Sequence, residues 1–401
     1  MPLMHPTDGL RGTKSSRLQG RRIVLGITGS IAAVACFDLA RELIRHGADV
    51  HAVMSDAAQD IVTPWAMAFA TGNEVVEVID WRVQHVSLLG NMPGKADLFL
   101  IAPSTANTIS KIACGIDDTP VTTMATTALG SGIPILIAPA MHLAMYQNPL
   151  VRRNVENLKN IGIGFIGPRI EGGKAKVATI EEIVEAVIRR LGKNDLTGRK
   201  VLVIGGSSEE PIDEMRIITN KGSGETAVEI GRAAYERGAE VELWMGRVDV
   251  PMPSFIETKR FETIGDVLSL TKGMKGDVVI VPAALSDFAP ERAKGKIPSE
   301  SKDVTLRLCA VPKVLNVLRS RSKALVGFKA EAGVSENVLL DEASKRLHDA
   351  KLDLVVANDL RDVSAGRTKA FIVGARRKRK VAGTKTELAN ALMDEIVGLK
   401  G

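Results

Sequence analysis

At 401 residues the chain is too long for one ordinary hydrophobic core, so two domains are expected. Its 45% hydrophobic and 25% charged residues describe a globular protein and exclude a disordered one. The net charge of +6 suits anionic substrates without pointing to nucleic acid, and three scattered cysteines exclude a disulfide framework and a structural zinc site.

Aromatic residues make up only 3%, so the core must be aliphatic. That composition suits an α/β protein, whose parallel strands are covered by helices on both faces; with the strand pattern below, two doubly wound domains are expected. No apolar run reaches the roughly 18 residues needed to span a bilayer. Residues 1–20 lack the apolar core of a signal peptide and read as a flexible extension, which implies a cytoplasmic protein without a membrane partner.

In chain order, the first domain (21–190) opens with a strand over 22–27. A turn through Thr28, Gly29 and Ser30 leads to a helix over 31–46, and a second strand runs over 49–54. Further aliphatic strands, 97–102 and 133–138, each end at a proline that opens a polar loop. After a polar linker, 191–198, the second domain (199–401) repeats the pattern. A strand over 200–204 meets the turn Gly205-Gly206-Ser207-Ser208, a helix covers 225–237, and strands follow at 240–244, 277–281, 324–328 and 353–357. Loops at the carboxyl ends of such strands are where doubly wound folds bind ligands.

The first turn is not the GxGxxG fingerprint. Gly29 and Ser30 suit a phosphate at a helix N-terminus, and a plain capping turn reads equally from these residues. Ser104, Thr105 and Asn107 follow the third strand, Thr122 and Thr123 a later loop, and Ser55 ends the second strand. Their convergence would suit a mononucleotide, although each could cap a helix. His85 is either an ordinary packed histidine or a base, and His142 stands in a ligand-type loop after a strand.

In the second half, Arg216, Asn220 and Lys221 lie in a long polar loop suited to a phosphorylated or carboxylate substrate. Asp287, followed by Lys294 and Lys296, suits a metal–nucleotide site; the alternative is a surface loop with ordinary charges. The basic run 376–380 reads as a solvated hairpin tip in preference to an RNA-binding patch. Cys36 and Cys309 read as small buried hydrophobes. A nicotinamide-dependent dehydrogenase is disfavoured, because neither half carries GxGxxG or an evident Tyr-xxx-Lys pair.

Taken together, the segments carry a resemblance. ITGSIAA (27–33), GKADLFLIAPSTANTISKIACGIDD (94–118) and PAMHLAMYQNP (139–149) resemble the homo-oligomeric flavin-containing cysteine decarboxylases. SSEEPIDEMRIITNKGSGE (207–225), AALSDFAPERAKGKI (283–297), VGFKAE (326–331) and LDLVVANDL (352–360) resemble phosphopantothenate–cysteine ligase. In this order they are similar to the bifunctional coenzyme A biosynthesis family over about residues 20–400. The resemblance implies a flavodoxin-like, FMN-binding decarboxylase domain and a Rossmann-like ligase domain. The ligase would activate 4′-phosphopantothenate with CTP and Mg²⁺ and pass the acyl group to cysteine. The decarboxylase would convert the product to 4′-phosphopantetheine.

It further implies that His85 is the decarboxylase base and that His142 and Met145 stand in the loop holding the substrate carboxylate. Gly29, Ser30, Ser55, Ser104, Thr105, Asn107, Thr122 and Thr123 would surround FMN. Asn220 and Arg216 would act on the acyl-cytidylate. Ala283, Asp287 (also the metal ligand), Lys296, Pro312, Lys313, Val314, Leu315 and Phe328 would meet CTP, with Arg346 and Lys351 as further candidates. Trimeric contacts between decarboxylase domains and dimeric contacts between ligase domains are implied as well.

Two departures stand out. His142 occupies a position where the family usually has asparagine, although histidine can still donate to a carboxylate. No cysteine lies between Cys114 and Cys309, where the bacterial proteins carry a flap cysteine; residues 167–176 offer Arg169, Glu171, Lys174 and Lys176 instead. A flavin-binding ligase whose decarboxylase step is lost or altered is therefore the alternative.

Overall fold

Five aliphatic runs of the N-terminal half form one parallel sheet: β1 (Arg22–Ile27), β2 (Asp49–Met54), β3 (Leu98–Ser104), β4 (Ile135–Pro139) and the short β5 (Gly164–Phe165). In this computed structural model, which describes residues 5–274, 276–298 and 304–399, the chain divides into two compact units between Gly192 and Lys193. The strand order of the first unit is β2-β1-β3-β4-β5, the flavodoxin-like arrangement. Helices Cys36–Arg45 and Ile180–Leu191 cover one face, around Leu39, Leu43, Val184 and Val187. Helices Ala106–Ala113, Pro120–Gly130 and Pro149–Asn160 cover the other, around Ile109, Met124 and Leu158. Burial on both faces is why these strands lack polar alternation.

Three expectations change here. Residues 5–20 are not a flexible extension; residues 1–4 lie outside the described residues. Leu18 is fully buried in the core, worth about 1.5–3 kcal/mol over an exposed leucine. Backbone N–H groups of Gly12, Lys14 and Leu18 donate to Ile44, Arg45 and His46, and Arg17 pairs with buried Glu185 at 3.1 Å. The helix after β1 is not continuous, because Ile31–Ala35 closes as a 3-10 turn before the α-helix starts at Cys36. Most of the expected linker is docked on the second unit: Leu196 is fully buried in its core, and Asp195 pairs with Arg237.

The second unit carries an eight-stranded sheet. Its strands are β6 (Lys200–Gly205), β7 (Glu240–Met245), β8 (Glu257–Arg260), β9 (Val278–Val281), β10 (Ala324–Glu331), β11 (Leu354–Ser364), β12 (Arg367–Gly374) and β13 (Lys378–Thr384). The order is β8-β7-β6-β9-β10-β11-β12-β13, parallel as far as β11 and antiparallel beyond. Its six parallel strands follow the Rossmann order 3-2-1-4-5-6. Helices Glu225–Glu236 and Lys385–Val397 pack on one face. Helices Ile264–Leu270, Val314–Arg319 and Glu336–Asp349 pack on the other.

The basic run straddles the tip between β12 and β13 and continues along the sheet edge. Lys380 pairs with Glu336, and Arg379 with Asp394 and Glu395. Charged side chains on an edge strand deter pairing with another chain. Cys309 is exposed, against expectation, because its strand (Leu308–Ala310) pairs only with Phe288–Pro290 in a ribbon outside the main sheet. Cys36 is buried as expected. Its thiol donates to the Ala102 carbonyl, and burial pushes its pKa up to about 12.

Candidate functional sites

In each sheet one pair of neighbouring strands sends its connections to opposite faces, leaving a crevice at their carboxyl ends. In the first unit this pair is β1 and β3. Thr28 Oγ1 donates to the Pro103 carbonyl at 2.9 Å and accepts from Thr105 N–H at 3.1 Å, locking the two strand-end loops together. Gly29 is required by packing: a Cβ there would sit 2.5 Å from Ala57 Cβ, so the residue keeps room for the turn after β2.

The hydroxyls around this crevice divide into two groups. Thr105 caps helix Ala106–Ala113 by accepting from Thr108 N–H. Thr122 closes a capping box with Thr119, and Thr123 Oγ1 donates to the Asp117 carbonyl, so these three threonines shape helix starts. Ser30 and Ser55 stand at N-cap positions without a capping side-chain bond. Ser104 is fully buried and its Oγ has no partner. Asn107 lies exposed in the first turn of its helix.

His85 sits on helix Gln84–Leu89, which packs against helix Pro120–Gly130. The turn before it is braced by Asp80, which accepts from Arg82 N–H at 2.9 Å and from Gln84 Nε2 at 2.9 Å. Val83, a β-branched residue at φ 46°, is held in the left-handed region there, a strained conformation. Among the described residues, His85 Nδ1 and Ser104 Oγ are the only buried side-chain polar atoms without a hydrogen-bond partner. An unpartnered buried polar atom is destabilising unless something meets it, so both fit a site that takes a polar ligand.

His142 continues from the same crevice, since Ala140 N–H donates to the Ser104 carbonyl at 3.0 Å. The strand Met141–His142 pairs antiparallel with Lys174–Lys176, placing His142 opposite Lys174. This joins the His142 loop to the hairpin Arg169–Glu171/Lys174–Lys176, the segment that departs from the bacterial pattern. Lys176 and Arg169 both pair with Glu171 and lower its carboxyl pKa. Met145 is exposed in the following turn, and desolvation raises the Tyr146 hydroxyl.

In the second unit the crevice lies between β6 and β9. Gly206, at φ 81°, turns the chain where a Cβ would lie 2.6 Å from the Arg247 carbonyl. Ser207 bridges to Ala284, and Ser208 Oγ both donates to Ser286 Oγ and accepts from Ser286 N–H at 3.0 Å. The polar loop folds back as a ribbon, Glu209–Pro211 with Ile217–Thr219, bringing Asn220 Nδ2 within 3.0 Å of the Ala284 carbonyl. Asn220 therefore reaches the loop after β9 that carries Ala283 and Asp287. Asp287 pairs with Lys313 at 2.6 Å, both exposed.

Other predicted positions spread out. Pro312 is exposed, whereas Val314 and Leu315 pack into the core beneath helix Val314–Arg319. Phe328, on β10, is partly buried. Arg346 lies in the last turn of helix Glu336–Asp349 and Lys351 just after it, before β11 starts. The structure puts both at the amino end of that strand, away from the crevice loops. Among the described residues no group of three or more His, Cys, Asp or Glu could hold a metal, so Asp287 stands as a single carboxylate.

One residue escaped the sequence reading. Asp213, 2% exposed, accepts from Met215 N–H (2.7 Å), Arg216 N–H (2.8 Å) and Ile297 N–H (3.0 Å), and it pairs with the Arg216 guanidinium. The Ile297 and Met215 amides, ahead of Arg216, hold its carboxyl at about 2. A buried acid is visible in sequence only as one of several charges in a polar loop.

The chain thus has two doubly wound domains, each with a crevice at its strand ends, and comparison with known families makes it a two-domain flavoprotein. Residues 11–192 match the Flavoprotein family, and residues 196–399 match the DNA/pantothenate metabolism flavoprotein C-terminal domain. The chain is 50% identical over 403 residues to the coenzyme A biosynthesis bifunctional protein CoaBC of Thermococcus kodakarensis, covering 98% of this chain and 99% of that one. Identity to the protein of the same name is 37% in Methanocaldococcus jannaschii (98% of each chain) and 33% in Bacillus subtilis (95% of this chain, 98% of that one). The chain belongs to this family of bifunctional coenzyme A biosynthesis enzymes, with a decarboxylase domain followed by a ligase domain.

Proposed function

We propose that the C-terminal unit joins 4′-phosphopantothenate to cysteine using CTP. The N-terminal unit then decarboxylates 4′-phosphopantothenoylcysteine to 4′-phosphopantetheine with FMN bound. The observation that carries the decarboxylase reading is the pair of unpartnered buried atoms, His85 Nδ1 and Ser104 Oγ. FMN at the β1/β3 crevice would supply the hydride acceptor that the chemistry needs. Ser30, Ser55 and Ser104 would hold the cofactor through hydroxyls that cap no helix. His85 Nδ1 would take the substrate proton, while His142 donates to the cysteinyl carboxylate beside Met145.

A carboxylate is a poor electrophile, so ligation needs a mixed anhydride. Asn220 and Arg216 would orient the acyl-cytidylate, with Ala283 and Phe328 alongside the nucleotide. Lys296 and Lys313 would offset triphosphate charge. Mg²⁺ would arrive with the triphosphate, with Asp287 as its protein carboxylate after release from Lys313. The exposed apolar side chains Ile31, Val34, Trp65 and Phe69 support assembly of the first unit with further copies, and the substrates suit the cytoplasm.

The test is a coupled assay with 4′-phosphopantothenate, cysteine and each nucleotide in turn, read by mass and CO₂ release. CTP should give both products. Ligation without CO₂ release from flavin-loaded enzyme would remove the decarboxylase half.

A further inference from the structure

We infer that Asp213 is a positioning residue for the ligation reaction, deepening the ligase reading on which this inference rests. Two segments carry cationic candidates of that unit close to one another: the ribbon loop with Arg216, and the loop with Lys294 and Lys296. Both are exposed, and neither belongs to the main sheet. One carboxylate joins them. Asp213 Oδ1 accepts from Met215 and Arg216 N–H, setting the turn that presents Arg216. Its Oδ2 takes the Arg216 guanidinium and accepts from Ile297 N–H, the residue next to Lys296. A second bond, Ala293 N–H to the Ile212 carbonyl at 2.8 Å, runs alongside. The Arg216 guanidinium also reaches the Ile297 carbonyl at 3.3 Å, so Arg216 and the lysine loop are registered to each other through Asp213.

The side chain of Asp213 is fully enclosed while that of Arg216 is 43% exposed. The acid is therefore inaccessible to substrate and works through the groups it holds. Charge-assisted bonds to a buried carboxylate are the stronger kind, and they hold donors in place before a ligand arrives. Two flexible cationic segments would otherwise have to be ordered as the phosphorylated acid and the nucleotide bind.

The full-length protein with Asp213→Asn keeps the shape and loses the charge. It should raise KM for 4′-phosphopantothenate at least threefold and lower kcat/KM for pyrophosphate release at least tenfold. KM for cysteine should stay within twofold, as should decarboxylation of supplied 4′-phosphopantothenoylcysteine. Should that variant fold poorly, Ile297→Pro removes the N–H donor, together with the isoleucine side chain and part of the backbone freedom at Lys296, and should shift KM in the same direction. Loss of kcat with every KM unchanged would mean a merely structural role and overturn the inference, as would wild-type kinetics in both variants. A wild-type protein that releases no pyrophosphate from any nucleotide would instead overturn the ligase reading and this inference with it.

Discussion

Replacing Ser104 by alanine should make the flavin-free protein more stable and its flavin binding weaker. The Ser104 hydroxyl is fully buried and has no partner. Burial of an unbonded hydroxyl costs about 1–3 kcal/mol, which alanine would relieve. The oxygen leaves a gap of roughly 15 Å³, worth about 0.4 kcal/mol at ~24 cal/mol per Å³. A net gain of about 1–2 kcal/mol follows. In a unit of 192 residues it should raise the flavin-free melting temperature by about 2–8 °C. Where the hydroxyl meets a charged phosphate, its loss should weaken FMN binding by about 10- to 150-fold. Thermal melting of stripped protein and fluorescence titration with FMN test the two halves together. A lower melting temperature with FMN affinity changed less than threefold would refute the reasoning, because the hydroxyl would then have a partner within the protein and no part in the cradle.

His85→Gln should lower decarboxylation by about 10²- to 10⁴-fold while flavin stays bound and ligation is unchanged, measured by CO₂ release and absorbance. Asn220→Asp should lower ligation at least tenfold and leave decarboxylation of supplied substrate intact; loss of both activities in a folded variant would contradict two separable sites. Native protein at pH 8 should label at Cys114 and Cys309 only, with Cys36 reacting after denaturation, because Cys36 is buried with its thiol pushed up to about 12. The Asp213 carboxyl lies at about 2, below its ordinary 3.8. Its contribution to stability is complete above about pH 4 and is lost as pH falls toward 2. Wild-type melting of the C-terminal unit should therefore drop across that window, and less so in Asp213→Asn.

The central strands were legible because they are buried on both faces: the aliphatic runs at 22–27 and 49–54 match β1 and β2 residue for residue. Elements outside those layers were not. β8 (Glu257–Arg260) is a polar edge strand paired on one side only, so no apolar pattern marks it. Residues 5–20 carry few apolar side chains, and one of them, Leu18, with a series of backbone bonds, fastens the segment to the first unit. Cys309 sits in an apolar run that predicted burial, but its two-stranded ribbon lies outside the main sheet.

The sites were legible at coarser grain, for a reason rooted in the chemistry of hydroxyls. A serine or threonine after a strand can cap the next helix or meet an anion there, and the two uses need the same residue at the same place. Sequence therefore located the crevice through Ser30, Ser55, Ser104, Thr105, Thr122 and Thr123 without dividing them. The division needs hydrogen-bond partners: Thr105 accepts from the helix N–H of Thr108 and Thr122 accepts from the N-cap N–H of Thr119, whereas Ser104 Oγ has nothing. The same logic separates the cations of the second unit. Arg346 and Lys351 have the right charge but come at the end of a helix that runs back toward the amino end of β11. Lys313 has the right charge and also pairs, at 2.6 Å, with Asp287 in the strand-end loop after β9. Position along the sheet, more than residue type, is what separates these charges.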